Sequence, residues 1–298
     1  VAGSLLATAV FAGCGSDDQN SADPAADSPP AAVSTTGGNN QKAPVASISG
    51  AEHIHGLGVN PGDGAILIAS HNGLWQVAPG ASEAEQVGDS RDDLMGFTVL
   101  GPDRFLSSGH PGPGSDLPPL LGLQSTEDGG RQWQSVSLLG EADLHVLRAS
   151  GNQVYGVDST TGAFLASDDG GASWEPRQVP ANVIDLAIAS DDPLHLVAAT
   201  DGGLYGSTDG GSNWMSLAPD RIGLLTWPSP GRLLMVDGSG RVMTSNDGGK
   251  SFVRTGSIGA PPEAFNSGSG RVLAAANGGR VLVSDDNGRT WSPAVIPQ

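Results

Sequence analysis

From residue 51 onward, short apolar runs alternate with polar, glycine-rich turns, and no apolar stripe of helical period is sustained. The segment 183–219 shows the unit most clearly: VIDLAIA, LHLVAAT, GLYGST and WMSLAP read as four strands joined by tight turns. Laid out the same way, the chain gives first strands starting near His55, Met95, His145, Asp185, Gly223 and Ala264. The pattern therefore predicts six four-stranded units of about 41 residues each.

A motif keeps these units in register. TEDGGRQW, SDDGGASW, STDGGSNW, SNDGGKSF and SDDNGRTW end on Trp133, Trp174, Trp214, Phe252 and Trp291, at intervals of 41, 40, 38 and 39 residues. In each copy the Asp and Ser/Thr oxygens can hold turn N–H groups, the glycine supplies a positive φ, and the aromatic packs the hairpin on its neighbour. Asp128, Asp169, Asp209, Asp247 and Asp286 are thus structural turn residues. A period near 40 with four strands per repeat predicts an all-β, six-bladed β-propeller of four-stranded antiparallel blades over residues 51–298. The first blade lacks the motif but keeps the strands in AILIASHNGLWQV. The segment 45–49 (VASIS) offers an additional outer strand for the last blade, and HPGPGSDLPPL at 110–120 is an insertion placed like a lid.

Composition supports this reading. With 45 Gly, 21 Pro and 5% aromatics a helical bundle is excluded. A net charge of −18 argues against nucleic acid or anionic lipid as partners. One cysteine leaves no internal disulfide and no multi-Cys zinc site. That cysteine, Cys14, follows an uncharged apolar stretch (1–13) and Ala12-Gly13, and precedes a polar run. The stretch is too short to span a bilayer and reads as a secretory signal. The junction resembles the bacterial lipobox, with Phe11 in place of the usual Leu. The resemblance implies lipidation of Cys14 and an exported protein anchored at the extracytoplasmic face of a bacterial membrane. Residues 15–50, poor in anything to bury, are expected to be a disordered tether.

Propeller strands alternate in direction, so starts of first strands and ends of second strands share one face, and the motif hairpins lie on the other. His53 and His55 open blade one, His71 ends its second strand, His110 ends the second strand of blade two, and His145 opens blade three. His195 falls on the opposite face. Met95 and Asp185 are read as equivalents of His55, so the channel mouth is ringed with possible ligands. Imidazoles, a thioether and carboxylates suit Cu or Zn, which makes His53, His55, His71, His110, His145 and Met95 candidate ligands of a single ion. The segment 110–120 would cover the site.

The spacing S/T-x-D-x-G-x-x-W resembles the Asp-box (BNR) repeat of sialidase- and sortilin-type propellers, and the chain is similar to exported glycosyl-hydrolase-like BNR lipoproteins. That resemblance implies a glycosidase acting on extracellular glycans with paired carboxylates. Candidates are Glu52, Asp93, Glu141, Asp143, Asp185 and Glu263. Sialidase chemistry would also need an arginine cluster and a tyrosine nucleophile. Only Tyr155 and Tyr205 exist, and only Arg221 and Arg91 are placed near the functional face. A small-molecule, glycan or metal ligand, or a protein docked on the rim of a non-catalytic scaffold, are the remaining partner classes.

Overall fold

Strands joined by two-residue turns can only form antiparallel meanders, and meanders that are apolar on both faces must be sandwiched between neighbours. The computed structural model, which describes residues 45–297, realises this as six four-stranded antiparallel sheets arranged in a ring, a six-bladed β-propeller with no helix among the described residues. The segment 1–14 with Cys14, expected to be a leader, and the expected tether as far as residue 44 lie outside the described residues.

The first strands are Ile54–Val59, Asp93–Gly101, Leu144–Ser150, Val183–Ala189, Leu224–Ser229 and Pro262–Gly268. They adjoin one another around the ring and line the central channel. Blade six closes on blade one, where Asn266 Nδ2 donates to the Leu57 carbonyl at 2.7 Å. A second closure lies outside it. Residues Ala46–Ile48 pair in parallel with Ser292–Pro297 of blade six. Ser47 also donates its N–H to Ser82 O at 2.9 Å and accepts from Ala84 N at 2.7 Å, in blade one. The segment expected to end the tether therefore belongs to the propeller, which begins near residue 45 and not at 51.

Apolar contacts run between blades. Val197, Leu204 and Ala218 of blade four pack against Leu225, Leu233 and Met235 of blade five, and Leu67 and Leu74 of blade one against Phe97 and Phe105 of blade two. Each fully buried Leu or Phe contributes about 1.5–3 kcal/mol, so blade-to-blade burial is the main source of stability.

The five motif hairpins share one hydrogen-bond scheme. In blade four Ser207 Oγ donates to Asp209 Oδ1 at 2.8 Å and accepts from Gly211 N at 2.8 Å, while Asn213 N donates to Asp209 Oδ1 at 2.9 Å. The side chain and backbone of Asn213, with Ser207, hold the Asp209 carboxyl down at about 2. Two consecutive left-handed residues make the turn possible: Gly210 and Gly211 have φ of 70° and 89°. In the last copy Asn287 takes the first of these positions at φ 60°, which Asn tolerates better than most side chains.

Ser207→Ala should strip the buried Gly211 N–H of its acceptor and lower stability by about 1–2 kcal/mol in a urea titration. A change well below that range would mean that the hydroxyl is dispensable.

Candidate metal centre at the channel mouth

One backbone device builds the mouth. In five of the six blades the first strand opens with a one-residue register shift against the second, leaving His55, Met95, His145, Ile184 and Glu263 outside the pairing. A bulge of this kind re-aims the extra side chain. All five, with Leu224 of blade five, line a cavity of about 190 Å³ at the mouth.

Around this cavity the histidines and aspartates form two clusters, each at a junction between blades. In the first, His55 Nε2 lies 3.4 Å from Asp93 Oδ1 and His71 Nδ1 lies 2.9 Å from Asp93 Oδ2. In the second, His145 Nε2 lies 2.6 Å and His110 Nε2 3.3 Å from Asp143 Oδ2. In each cluster the three possible ligand atoms fall within 4.8 Å of one another. The two share a plan: a histidine ending the second strand of one blade meets an aspartate opening the first strand of the next, and a bulge histidine supplies the third donor.

Neighbouring groups prepare both clusters. His110 Nδ1 lies 2.9 Å from the carbonyl of Pro119, inside the proline-rich insertion. A proton on Nδ1 donated there leaves Nε2 as the lone-pair nitrogen facing Asp143, the usual way an outer hydrogen bond fixes a ligand histidine. Ser159 Oγ donates to Asp143 Oδ2 at 2.7 Å, and the Asp143 amide donates to Asp158 Oδ1 at 3.1 Å. Burial pushes the Asp143 carboxyl up, but hydrogen bonds from His145 and Ser159 outweigh it and hold the carboxyl below its ordinary value. The same contact with Asp143 raises His145, against the opposing effect of burial. Burial lowers His55, with Asp93 opposing, so His55 is a neutral imidazole at pH 7. Its Nε2, together with Asp93 Oδ1 and Asp143 Oδ1, is buried without a hydrogen-bond partner.

The remaining candidates separate from this group. His53 is exposed, its ring edge-on to His71 at 6.5 Å, and it joins neither cluster. Met95 sits at the bulge between the clusters in sequence and faces the cavity. The single shell expected for all these residues is thus replaced by two triads. Glu52 and Glu141 are exposed. Glu263 accepts from Gly278 N at 3.3 Å through Oε1. Asp185 is not the equivalent of His55; Ile184 is. Asp185 is buried, accepting from Arg148 Nη2 at 2.6 Å, Leu225 N at 2.7 Å and Leu186 N at 2.8 Å. Burial raises its carboxyl, with Arg148 and the two amides opposing.

Arg148 is the channel residue that the sequence did not reveal. It lines both the mouth cavity and a second cavity of about 290 Å³ at the other end. Its Nε and Nη1 donate to the carbonyls of Leu186 and Leu147, so the guanidinium is consumed by the frame. A mid-strand arginine looks like any surface charge until the strand's channel-facing side is known. Neither tyrosine lines the mouth: Tyr155 is fully buried against Phe164, and Tyr205 is absent from the cavity wall. His195 packs on Trp227 at 4.9 Å and borders a pocket with Asp209 and Asp247 of the motif hairpins, as expected for the opposite face.

The fold and the mouth define a class: a six-bladed propeller with histidine–aspartate clusters at one end of its channel. No protein-family model matches the chain, and no curated protein does. Solved structures do. YCF48 bound to D1 peptide superposes with a TM-score of 0.51 at 17% identity, over 81% of this chain and 80% of that one. An ancestral GH74 enzyme gives 0.52 at 13% identity, over 81% of this chain and 38% of the enzyme. PorZ, a surface component of the type-IX secretion system of Porphyromonas gingivalis, gives 0.55 at 14%, over 84% and 34%. At these identities the likeness establishes the propeller and nothing of the site.

Proposed function

We propose that the propeller binds a transition metal ion, zinc or copper, through the histidine–aspartate clusters of its channel mouth. The observation that carries this reading is the pair His55 Nε2 and Asp93 Oδ1, both buried, both without a hydrogen-bond partner, and 3.4 Å apart. Two ligands at about 2.0–2.1 Å from a tetrahedral ion are about 3.3–3.4 Å apart, so the pair is spaced for a shared ion better than for a hydrogen bond. The second cluster repeats that spacing in His110 Nε2 and Asp143 Oδ2, at 3.3 Å. The insertion at 110–120 orients His110 through Pro119 and, in this reading, covers the site.

On the lipobox resemblance alone we take the protein to be exported and anchored through Cys14, and on spacing and hydrogen bonding we read the five hairpins as Asp-boxes. A glycosidase reading ranks lower, because Asp93 and Asp143 are engaged with imidazoles and Asp185 with Arg148. The peptide-bound and secretion-system neighbours make a protein partner on the rim compatible with this fold.

Untagged protein should hold zinc or copper on elemental analysis, and calorimetric titration should give affinity tighter than micromolar at pH 7.5. Asp93→Asn combined with Asp143→Asn should weaken binding by about 100-fold or more, while His195→Ala should leave it unchanged. Because neutral imidazole is the ligand, affinity should fall as pH drops below about 6.5. Binding of micromolar strength or weaker, or indifference to the double substitution, would reduce the clusters to hydrogen-bonded channel lining; turnover in a glycan-substrate screen would favour the glycosidase.

A further inference from the structure

Each ionisable side chain lining the mouth cavity, except one, faces an ionisable partner. Arg148 meets Asp185 at 2.6 Å, His145 meets Asp143 at 2.6 Å, and His55 stands 3.4 Å from Asp93. The exception is Glu263, at the bulge of blade six, which belongs to neither triad. Its Oε1 accepts from the Gly278 amide at 3.3 Å, and its Oε2 is buried without a hydrogen-bond partner. A buried carboxylate oxygen with no donor is costly, so the cavity presents one unmatched acceptor and one unmatched negative charge. The wall around it decides which cation fits. Phe97, Ile184, Leu224 and Phe265 border the same space, and Ile184 is 41% exposed. At about 190 Å³ the cavity is smaller than the about 300–1,000 Å³ of pockets that enclose a whole drug-sized ligand, so it admits one small group. A single free oxygen suits the point charge of an ammonium, whereas the guanidinium fork is matched by two. A quaternary ammonium has no N–H to give, and a metal ion would find one uncommitted carboxylate where it needs several ligands.

We propose that the mouth cavity binds a primary alkylammonium group, as carried by a lysine side chain or a free aliphatic amine, with an N–H on Glu263 Oε2 and the carbon chain against Ile184, Leu224 and Phe265. The Gly278 contact is long and the terminal torsion of a glutamate is soft, so Oε2 can turn to an incoming N–H. The apolar wall keeps water from that hydrogen bond and strengthens it. Anchor and ligand both differ from those of the triads, and the site stands whether or not the triads hold a metal.

The test uses the whole chain treated with a metal chelator, so that no ion competes for the mouth. Titrated with n-butylamine at pH 7.5, it should bind at least about tenfold more tightly than it binds n-butanol, which has the same chain and no charge. In protein with methyl-labelled methionine, the resonance of Met95, which lines the cavity, should move on addition of the amine, while that of Met215, on an outer strand, should not. Glu263→Gln keeps an acceptor for Gly278 and removes the charge, and it should weaken amine binding about tenfold or more without altering butanol. Nα-acetyl-lysine amide that binds as well as butylamine assigns the site to a lysine side chain; binding of butylamine alone assigns it to a free amine. Equal affinity for amine and alcohol, or a Met95 resonance that does not move, overturns the proposal on the wild type alone, even where the variant fails to fold. So does a folded Glu263→Gln that binds amine as the wild type does, and each of these results leaves the metal reading standing. Amine binding in a protein that takes up neither zinc nor copper supports this site and defeats the metal reading only.

Discussion

Asp185→Ala is expected to cost about 3–5 kcal/mol of stability, the range seen when one partner of a buried ion pair is removed. The carboxylate joins three blades: it takes the Arg148 guanidinium from blade three, the Leu186 amide within blade four and the Leu225 amide from blade five. Alanine would leave a guanidinium in the channel without its counter-charge and a buried amide without an acceptor. Domains of this kind are stable by only about 5–15 kcal/mol, so the variant should unfold at markedly lower urea. Asp185→Asn, which can still accept from one amide but carries no charge, should fall between wild type and alanine. A loss under about 1 kcal/mol for alanine would show that Arg148 finds water or another carbonyl without cost.

Gly96→Ala is the second large effect. A Cβ at residue 96 would stand 2.0 Å from the carbonyl oxygen of Leu144 and 3.0 Å from the Leu147 Cβ. The obstacle is backbone of the neighbouring blade, so no side-chain rotation relieves it, and blades two and three must part. Overpacking of this kind costs about 1–3 kcal/mol and occasionally more. The site should respond as well, because residue 96 follows Met95 in the bulge and Leu144 precedes His145. We expect a lower denaturation midpoint together with weaker metal binding. Gly101→Ala, which has open space around its Cβ, is the matched control and should change neither. Unaltered stability in Gly96→Ala would mean that the blades are less closely seated than the backbone indicates.

The propeller was legible because each blade repeats the same local chemistry. A turn that needs Ser/Thr, Asp and two left-handed residues in sequence writes itself into every copy, and strand periodicity fills the interval between copies. The face assignment followed from strand direction alone: it put His53, His55, His71, His110 and His145 on one face, four of which fall in the two clusters, and His195 on the other, where it borders the motif hairpins.

What sequence could not resolve turns on single-residue register. An extra residue in a first strand moves every following side chain to the other side, so the residue that enters the mouth in blade four is Ile184 and the next one, Asp185, is buried as a tie between blades. Nothing in the composition of VIDLAIA marks where that bulge falls. The grouping of the ligands had the same limit. The chain's local pattern, which depends on neighbours a few residues apart, determined the blades, their number, the hairpin chemistry and the histidine-bearing face. Only the closed ring decided that Asp93 meets His55 and His71, that Asp143 meets His110 and His145, that Arg148 occupies the channel, and that residues 46–48 clasp blade six to blade one. Those contacts join residues of different blades, and their distances are fixed by how closely the blades pack, a quantity that no local pattern encodes.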